Sequence, residues 1–270
     1  MELFNLGCGS RYAKGWRNLD FIPTGLGVER HNLLDELPCA DTSVDAIYSS
    51  HVLEHFTPEQ ARIFILNCYR KLKNNGVLRI VVPDLENICR EYLKSLDSVR
   101  SGDVNALDMH RWMIIELLDQ MVRIRPGGAM ADFWSDALQR NNVSLVDYIR
   151  HRTGRNLYQN GGNGTAVKSS LLSFQRLRQL LITAYLRGIR LLIPTSIRNC
   201  MIDNSPIGEK HRWMYDRVSL QYLLESVGFK DVKFLSPSES SIPDFFNYCL
   251  DTEKDGTPYK RSSIYCEAVK

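Results

Sequence analysis

The sequence predicts an α/β fold built on a mostly parallel sheet, and three observations carry that prediction. Short apolar runs alternate with amphipathic helical runs near both ends of the chain. One helix start, Thr57–Gln60, carries full capping chemistry. Polar and glycine residues collect directly after the apolar runs, which is where ligands sit in such sheets.

The elements follow in order. Glu2–Leu6 reads as a strand that stops at Gly7, and Arg17–Phe21 as a second strand containing Asp20. The stretch through Pro23, Gly25, Gly27 and Pro38 reads as a loop, and Val44–Ser49 as a compact strand. Thr57 caps the next helix, Pro58 suits its first position, Gln60 completes a capping box, and Asn75-Gly76 supplies a stop. Val77–Val82, "VLRIVV", is a strand closed by Pro83, and "DLENICREYLKSL" is a helix. Near the end, "DRVSLQYLLESVGF" is an amphipathic helix stopped by Gly228, with "VKFLS" and "SSIYCEAVK" as the last strands.

Between about Leu96 and Ser205 the alternation ceases. Helical pieces "NALDMHRWMIIELLDQMVRI", "GAMADFWSDALQR" and "SLLSFQRLRQLLITAYLRGIRLL" stand there, with a glycine-rich loop before the third. The expectation is a core of residues 1–95 and 206–270, with a large helical, basic insertion over 96–205, after the fourth or fifth strand, acting as an acceptor lid. From Thr153 to Met201 there is no Asp or Glu, while Arg155, Lys168, Arg176, Arg178, Arg187, Arg190 and Arg198 make the segment basic. The Arg-rich part, 171–198, suits an anionic membrane surface, a substrate phosphate, or simply a solvated helix face.

Composition narrows the class. The chain has 270 residues, is 24% charged and 44% hydrophobic, and carries a net charge of +3, too little to argue for nucleic acid. No apolar run is long enough to span a membrane, and the first residues read as a strand rather than a leader. The seven cysteines are scattered without a C-x-x-C pair, so neither a zinc site nor a disulfide frame is expected, and the protein reads as intracellular and cytoplasmic.

"NLGCGS" removes side chains where the backbone must turn and approach a ligand. It lacks the third glycine of a dinucleotide loop, Asp20 comes too early for that motif, and no Walker lysine is present. Nicotinamide and ATP chemistry are therefore disfavoured. A carboxylate such as Asp20 at a strand end grips both hydroxyls of a ribose. In "LPCADTSVDAIYSSHVLEHF", His51, Glu54 and His55 follow a strand at helical spacing. Their order is H-x-x-E-H, the inverted zinc-peptidase order, but the glycine loop favours another kind of site and no metal is assigned.

These motifs together resemble class I S-adenosylmethionine-dependent methyltransferases of the Methyltransferase-11 type. "FNLGCG", "LPCADTSVDAIYSSHVLEHF", "YRKLKNNGVLRIVVPD" and "HRWMYDRVSLQYLLESVGF" match that family's elements in order, over residues 1–95 and about 208–270. "GCGSRYAKGWRNLDF" further resembles a subgroup met beside glycosyltransferases of bacterial surface-polysaccharide biosynthesis. The resemblance implies a Rossmann-like sheet and S-adenosyl-L-methionine as cofactor. It places Gly7, Cys8 and Gly9 at the methionine and ribose end, Asp20 on the ribose, Asn32 and Leu33 near the adenine, and Ser50 and His51 beside the transferred methyl. Asn5 and Asn32 stand where the family often has acids. A hydroxyl acceptor needs a base, for which His51, His211 and Asp216 are candidates. Asn-Pro-Pro-Tyr, common among methyltransferases acting on amino groups of bases, is absent, and a small-molecule or glycan acceptor is expected rather than nucleic acid. The rival reading is a non-catalytic cofactor-binding regulator or scaffold.

Overall fold

The computed structural model describes residues 1–154 and 210–270, together with Tyr185 and Gly188. The Arg-rich segment 171–198 and the glycine-rich loop before it otherwise lie outside the described residues.

Seven strands form one sheet: β1 (Leu3–Leu6), β2 (Arg17–Asp20), β3 (Val28–Arg30), β4 (Val44–Ser50), β5 (Leu72–Pro83), β6 (Lys230–Leu235) and β7 (Ser263–Val269). Their order is β3-β2-β1-β4-β5-β7-β6. The first five pair in parallel, and β7 runs antiparallel between β5 and β6. This is a Rossmann-like sheet, as expected for the class I methyltransferase type. The strand order reverses between β1 and β4, so their carboxyl ends, at Leu6 and Ser50, flank the switch point where ligands bind.

Period-two alternation builds a core on each face of the sheet. Phe4, Leu6, Ile47, Ile80, Val82, Ile264 and Cys266 point to one face, under helices α1 (Pro58–Lys71) and α6 (Arg217–Val227). Leu3, Ala46, Tyr48, Val81 and Tyr265 point to the other, where Trp16, Ile242, Phe245 and Leu250 cover them. A third cluster, with Ile88, Trp112, Trp134 and Ile149, joins α2 (Leu85–Arg100), α3 (Ala106–Val122), α4 (Gly128–Gln139) and α5 (Val143–Thr153).

Most expected elements are present. Thr57 and Gln60 form both halves of the capping box. Asp216 caps α6, and Gly228 ends it in the left-handed region. Three details differ from the sequence reading. Helix α1 ends at Lys71 rather than at Asn75-Gly76, because Leu72 turns to extended geometry and pairs with Val44 of β4. Strand pairing thus takes over before the turn residues are reached; Asn75, at φ 65, lies within β5 instead. Strand β3 lies inside the stretch read as a loop, and α5 was not anticipated. Among the described residues no helix is long and apolar enough to cross a membrane.

Candidate functional site

Strand β1 is followed at once by Gly7 and Gly9, both at positive φ, 68° and 53°. The Gly7 amide donates to the Leu19 carbonyl at 2.8 Å, so the chain bends directly toward β2 without a helix between. A Cβ on Gly7 would lie 2.2 Å from Val52 Cγ2, whereas one on Gly9 would enter open space. Only glycine packs at the first position, and at the second its bareness leaves room for a ligand. Asp20 ends β2 and holds the loop: Oδ2 accepts from the Gly9 amide at 2.8 Å and Oδ1 from the Ile22 amide at 2.9 Å. Each oxygen keeps a further acceptor site for a ribose hydroxyl.

A cavity of about 170 Å³ opens here, lined by Gly7, Cys8, Gly9, Tyr48, Ser50 and His51, and closed by Leu250, Tyr259 and Lys260. Burial, with Asp20 nearby, pushes the Cys8 thiol up to about 11, which excludes a thiolate nucleophile. The closing segment is fixed from two sides. Arg11 donates to the carbonyls of Cys249 and Thr252 at 2.8 and 2.5 Å and lies 4.0 Å from the Tyr259 ring centre. Beneath, the Tyr48 hydroxyl donates to Asp251 at 2.6 Å, and Arg79 bridges Asp251 and Glu267 at 2.7 and 2.8 Å.

A larger cavity, about 520 Å³, lies between the ends of β4 and β5 and helices α2–α5. It shares His51 and Lys260 with the smaller one. His51 follows β4 with φ 54, an unusual conformation for a side-chain-bearing residue, stabilised by its amide bond to the Val81 carbonyl at 2.9 Å. Its Nε2 lies 2.9 Å from Ser263 Oγ and its Nδ1 3.2 Å from Glu54 Oε1. Burial lowers the His51 pKa against the opposing pull of Glu54, which favours neutral imidazole. Burial would raise Glu54, but His51, followed by His55 and His211, outweighs it and holds the carboxyl at about 2. Burial takes His211 down to about 4, against Glu54. Across the cavity, Trp112 Nε1 donates to Glu116 at 2.7 Å, and Arg152 grips the same carboxylate with two bonds of 2.7 and 2.8 Å.

The sequence-derived site thus divides. Gly7, Cys8, Gly9, Ser50 and His51 share the smaller cavity, Asp20 anchors its loop, and His211 lines the larger one. Asn32 and Leu33 line neither: Asn32 Oδ1 accepts from the Leu34 amide, and Leu33 is buried in the core. Asp216 caps α6: its carboxylate accepts from the Ser219 amide and hydroxyl at 2.7 Å each, and it lines neither cavity. Asn5, where an acid is frequent, donates to Asn18 and the Arg11 carbonyl, a neutral pairing at the base of the loop. Of the polar residues on α3, Glu116 lines the larger cavity, while Asp108 pairs with Arg140 and Asp119 with Arg123. Lys260 and Ser263 escaped sequence reasoning because no motif surrounds them, and Tyr48, within "VDAIYS", read only as part of a strand. The available signal was Arg79, a charge within an apolar strand, which announces buried acidic partners.

Residues 18–80 match the family model for a methyltransferase domain. S-adenosyl-L-methionine is the cofactor this match supports, and the open space at Gly9 beside Asp20 fits it. No curated protein matches the chain. Among solved structures, the chain is similar to a SAM-dependent methyltransferase from Archaeoglobus fulgidus at 13% identity, covering 100% of this chain and 86% of that one, with a TM-score of 0.40. It is also similar to the YcgJ protein from Bacillus subtilis at 9% identity, covering 100% and 91%, with a TM-score of 0.39. A SAM-dependent methyltransferase from Thermotoga maritima aligns at 11% identity over 100% and 82%, with a TM-score of 0.37. The fold assignment rests on the strand order itself.

Proposed function

We propose that this chain is an S-adenosylmethionine-dependent methyltransferase acting on a hydroxyl of a sugar or glycan precursor. One observation carries the reading: the glycine-loop cavity and the larger cavity meet at His51. A donor in the first and an acceptor in the second would face each other across that residue. When bound, the cofactor would supply a sulfonium methyl for in-line attack by an acceptor oxygen, with the thioether of S-adenosylhomocysteine as leaving group, so the protein's task is alignment and proton removal. Gly7–Gly9 and Asp20 hold the donor, and Ser50 borders it. His51, oriented by Glu54 and Ser263, takes the acceptor proton. In the larger cavity Trp112 and Trp134 provide apolar faces, while Glu116, Gln120 and Arg152 provide hydrogen-bonding groups, a combination suited to a sugar ring and its hydroxyl rim.

The association with surface-polysaccharide biosynthesis comes from the sequence resemblance. With it goes a membrane-linked acceptor, approached through the Arg-rich segment 171–198. Flotation with anionic vesicles tests that part, and lack of binding removes the membrane from the proposal.

Calorimetric titration with S-adenosylmethionine tests the cofactor: micromolar binding is expected, lost in Asp20→Ala. His51→Gln should keep donor binding while lowering turnover roughly 10²–10⁴-fold on an accepted substrate, the usual contribution of a positioned base. Wild-type protein that binds no donor, or His51→Gln at full turnover, contradicts the reading.

A further inference from the structure

Three of the six histidines, His51, His55 and His211, meet around the Glu54 carboxylate at one end of the larger cavity. Glu54, His55 and His211 each place a ligand-type atom within 4.8 Å of the other two. Glu54 is 0% exposed. Among the described residues neither of its carboxylate oxygens has a hydrogen-bond partner; His51 Nδ1 stands in ion-pair range of Oε1 at 3.2 Å without hydrogen-bond alignment. A carboxylate sealed from water and short of donors is costly, and a cation is the partner that relieves it.

The imidazoles are prepared in the same sense. His55 Nδ1 lies 3.0 Å from the Lys210 carbonyl, which can only accept, so Nδ1 carries the proton and Nε2 keeps its lone pair. Metal-bound imidazoles are oriented by such a contact on the other ring nitrogen. The side-chain nitrogen of Gln120 lies 2.9 Å from His211 Nε2, and the His211 backbone amide donates to the Gln120 carbonyl at 2.9 Å. As placed, that nitrogen donates to Nε2; with the side-chain amide turned over, its oxygen accepts from Nε2–H and Nδ1 of His211 keeps a lone pair for a ligand. The amides of Arg212 and Trp213 donate to the Glu54 carbonyl at 2.7 and 3.2 Å. The segments carrying the three residues are thereby fastened to one another by main-chain bonds, a rigid support for a first coordination shell.

We infer that Glu54, His55 and His211 form a binding site for a divalent first-row transition-metal cation at the end of the acceptor cavity. Two imidazoles and a carboxylate suit Zn²⁺, Co²⁺ or Fe²⁺, whereas Mg²⁺ and Ca²⁺ prefer oxygen ligands throughout. Bonds of about 2.0–2.2 Å place tetrahedral ligand atoms roughly 3.4 Å apart, so side-chain rotation alone closes the cluster on a cation. Three protein ligands leave a coordination position open. The two carboxylate oxygens of Glu54 allow it to face His51 and a cation together. The sequence reading assigned no metal because the glycine loop favoured another kind of site; the structure adds His211, distant in the chain, to Glu54 and His55. That the open position holds an acceptor oxygen rests on the methyltransferase reading, while cation binding does not.

The test is titration of tag-free, chelator-stripped full-length protein with Co²⁺, followed by its d–d absorption, with Zn²⁺ equilibrium dialysis in parallel. A single saturable site is expected. It should weaken by about 100-fold or more in His55→Ala, His211→Ala and the isosteric Glu54→Gln, since even outer partners of metal ligands are worth 10–100-fold. His110→Ala, whose ring pairs with Ser95 on α2, should bind as wild type does. Wild-type protein that is folded by circular dichroism yet shows no saturable Co²⁺ absorption overturns the inference. So does a loss in His110→Ala equal to that in His55→Ala. S-adenosylmethionine titration of the same samples separates the two readings. Donor binding without Co²⁺ uptake overturns the cation site alone, and Co²⁺ uptake without donor binding supports the site while overturning the proposed function.

Discussion

Arg79→Met removes the cation from the buried network beneath the smaller cavity. The Arg79 side chain is 0% exposed and sits between Asp251 and Glu267, whose side chains are 2% and 3% exposed. Methionine fills much of the volume but leaves two carboxylates facing each other away from water. Breaking one buried pair by removing a partner costs about 3–5 kcal/mol, a large share of the roughly 5–15 kcal/mol that holds a domain folded. At about 2–4 °C per kcal/mol for a chain of this size class, the melting temperature should fall by roughly 6–20 °C. Burial already raises Asp251 despite Arg79, and losing the guanidinium raises it further, while Glu267 keeps its Ser240 and Ser241 donors. With the folded pKa of Asp251 above the unfolded one, the deficit should be largest near neutral pH and shrink as pH falls toward 5. Urea unfolding followed by tryptophan fluorescence, at pH 7 and pH 5, measures both effects. Adding Asp251→Leu should recover part of the loss, because one stranded charge goes with it. The segment holding Leu250, Tyr259 and Lys260 loosens with the network, so donor affinity should fall as well. A loss under about 1 kcal/mol, or one that is independent of pH, would show that water reaches these groups and refute the argument.

Asp216→Ala should cost about 1 kcal/mol by thermal unfolding, the value of a helix cap, while methyl transfer persists; loss of turnover at unchanged fold would restore Asp216 as a base. Gly9→Ala meets no neighbour within 4 Å and should cost only the about 1–2 kcal/mol of a left-handed alanine, yet weaken S-adenosylmethionine binding about tenfold or more in calorimetry. Gly7→Ala adds the collision with Val52 and should be the less stable of the two. Burial raises Glu267, and the Ser240 and Ser241 donors with Arg79 outweigh it, so its folded pKa lies below the unfolded one. The stability this gives is full above the ordinary carboxylate range and is lost as pH falls through it; Glu267→Gln should flatten the acid limb of an unfolding midpoint plotted against pH.

What the sequence revealed of this molecule follows how local the cause is. The capping box at Thr57 and Gln60, the Gly228 stop and the strand "VLRIVV" are settled by residues a few positions apart, and each appears where it was expected. Asp20 beside the glycine loop is nearly as local, since β1 and β2 are joined by a short turn. The errors arise where a distant strand or side chain intervenes. Helix α1 stops early because Val44, distant in the chain, claims Leu72. The same reasoning explains the composition of the cavity end. His51, Glu54 and His55 were visible as a motif, but their partners Ser263 and His211 arrive from far along the chain, one on β7 and one just before α6. Seven residues, 51–57, separate β4 from α1, and the 3-10 turn Leu53–His55 among them places Glu54 fully inside with neither carboxylate oxygen hydrogen-bonded among the described residues. His51 and His55 flank it locally, and His211 is the one imidazole that arrives from far along the chain.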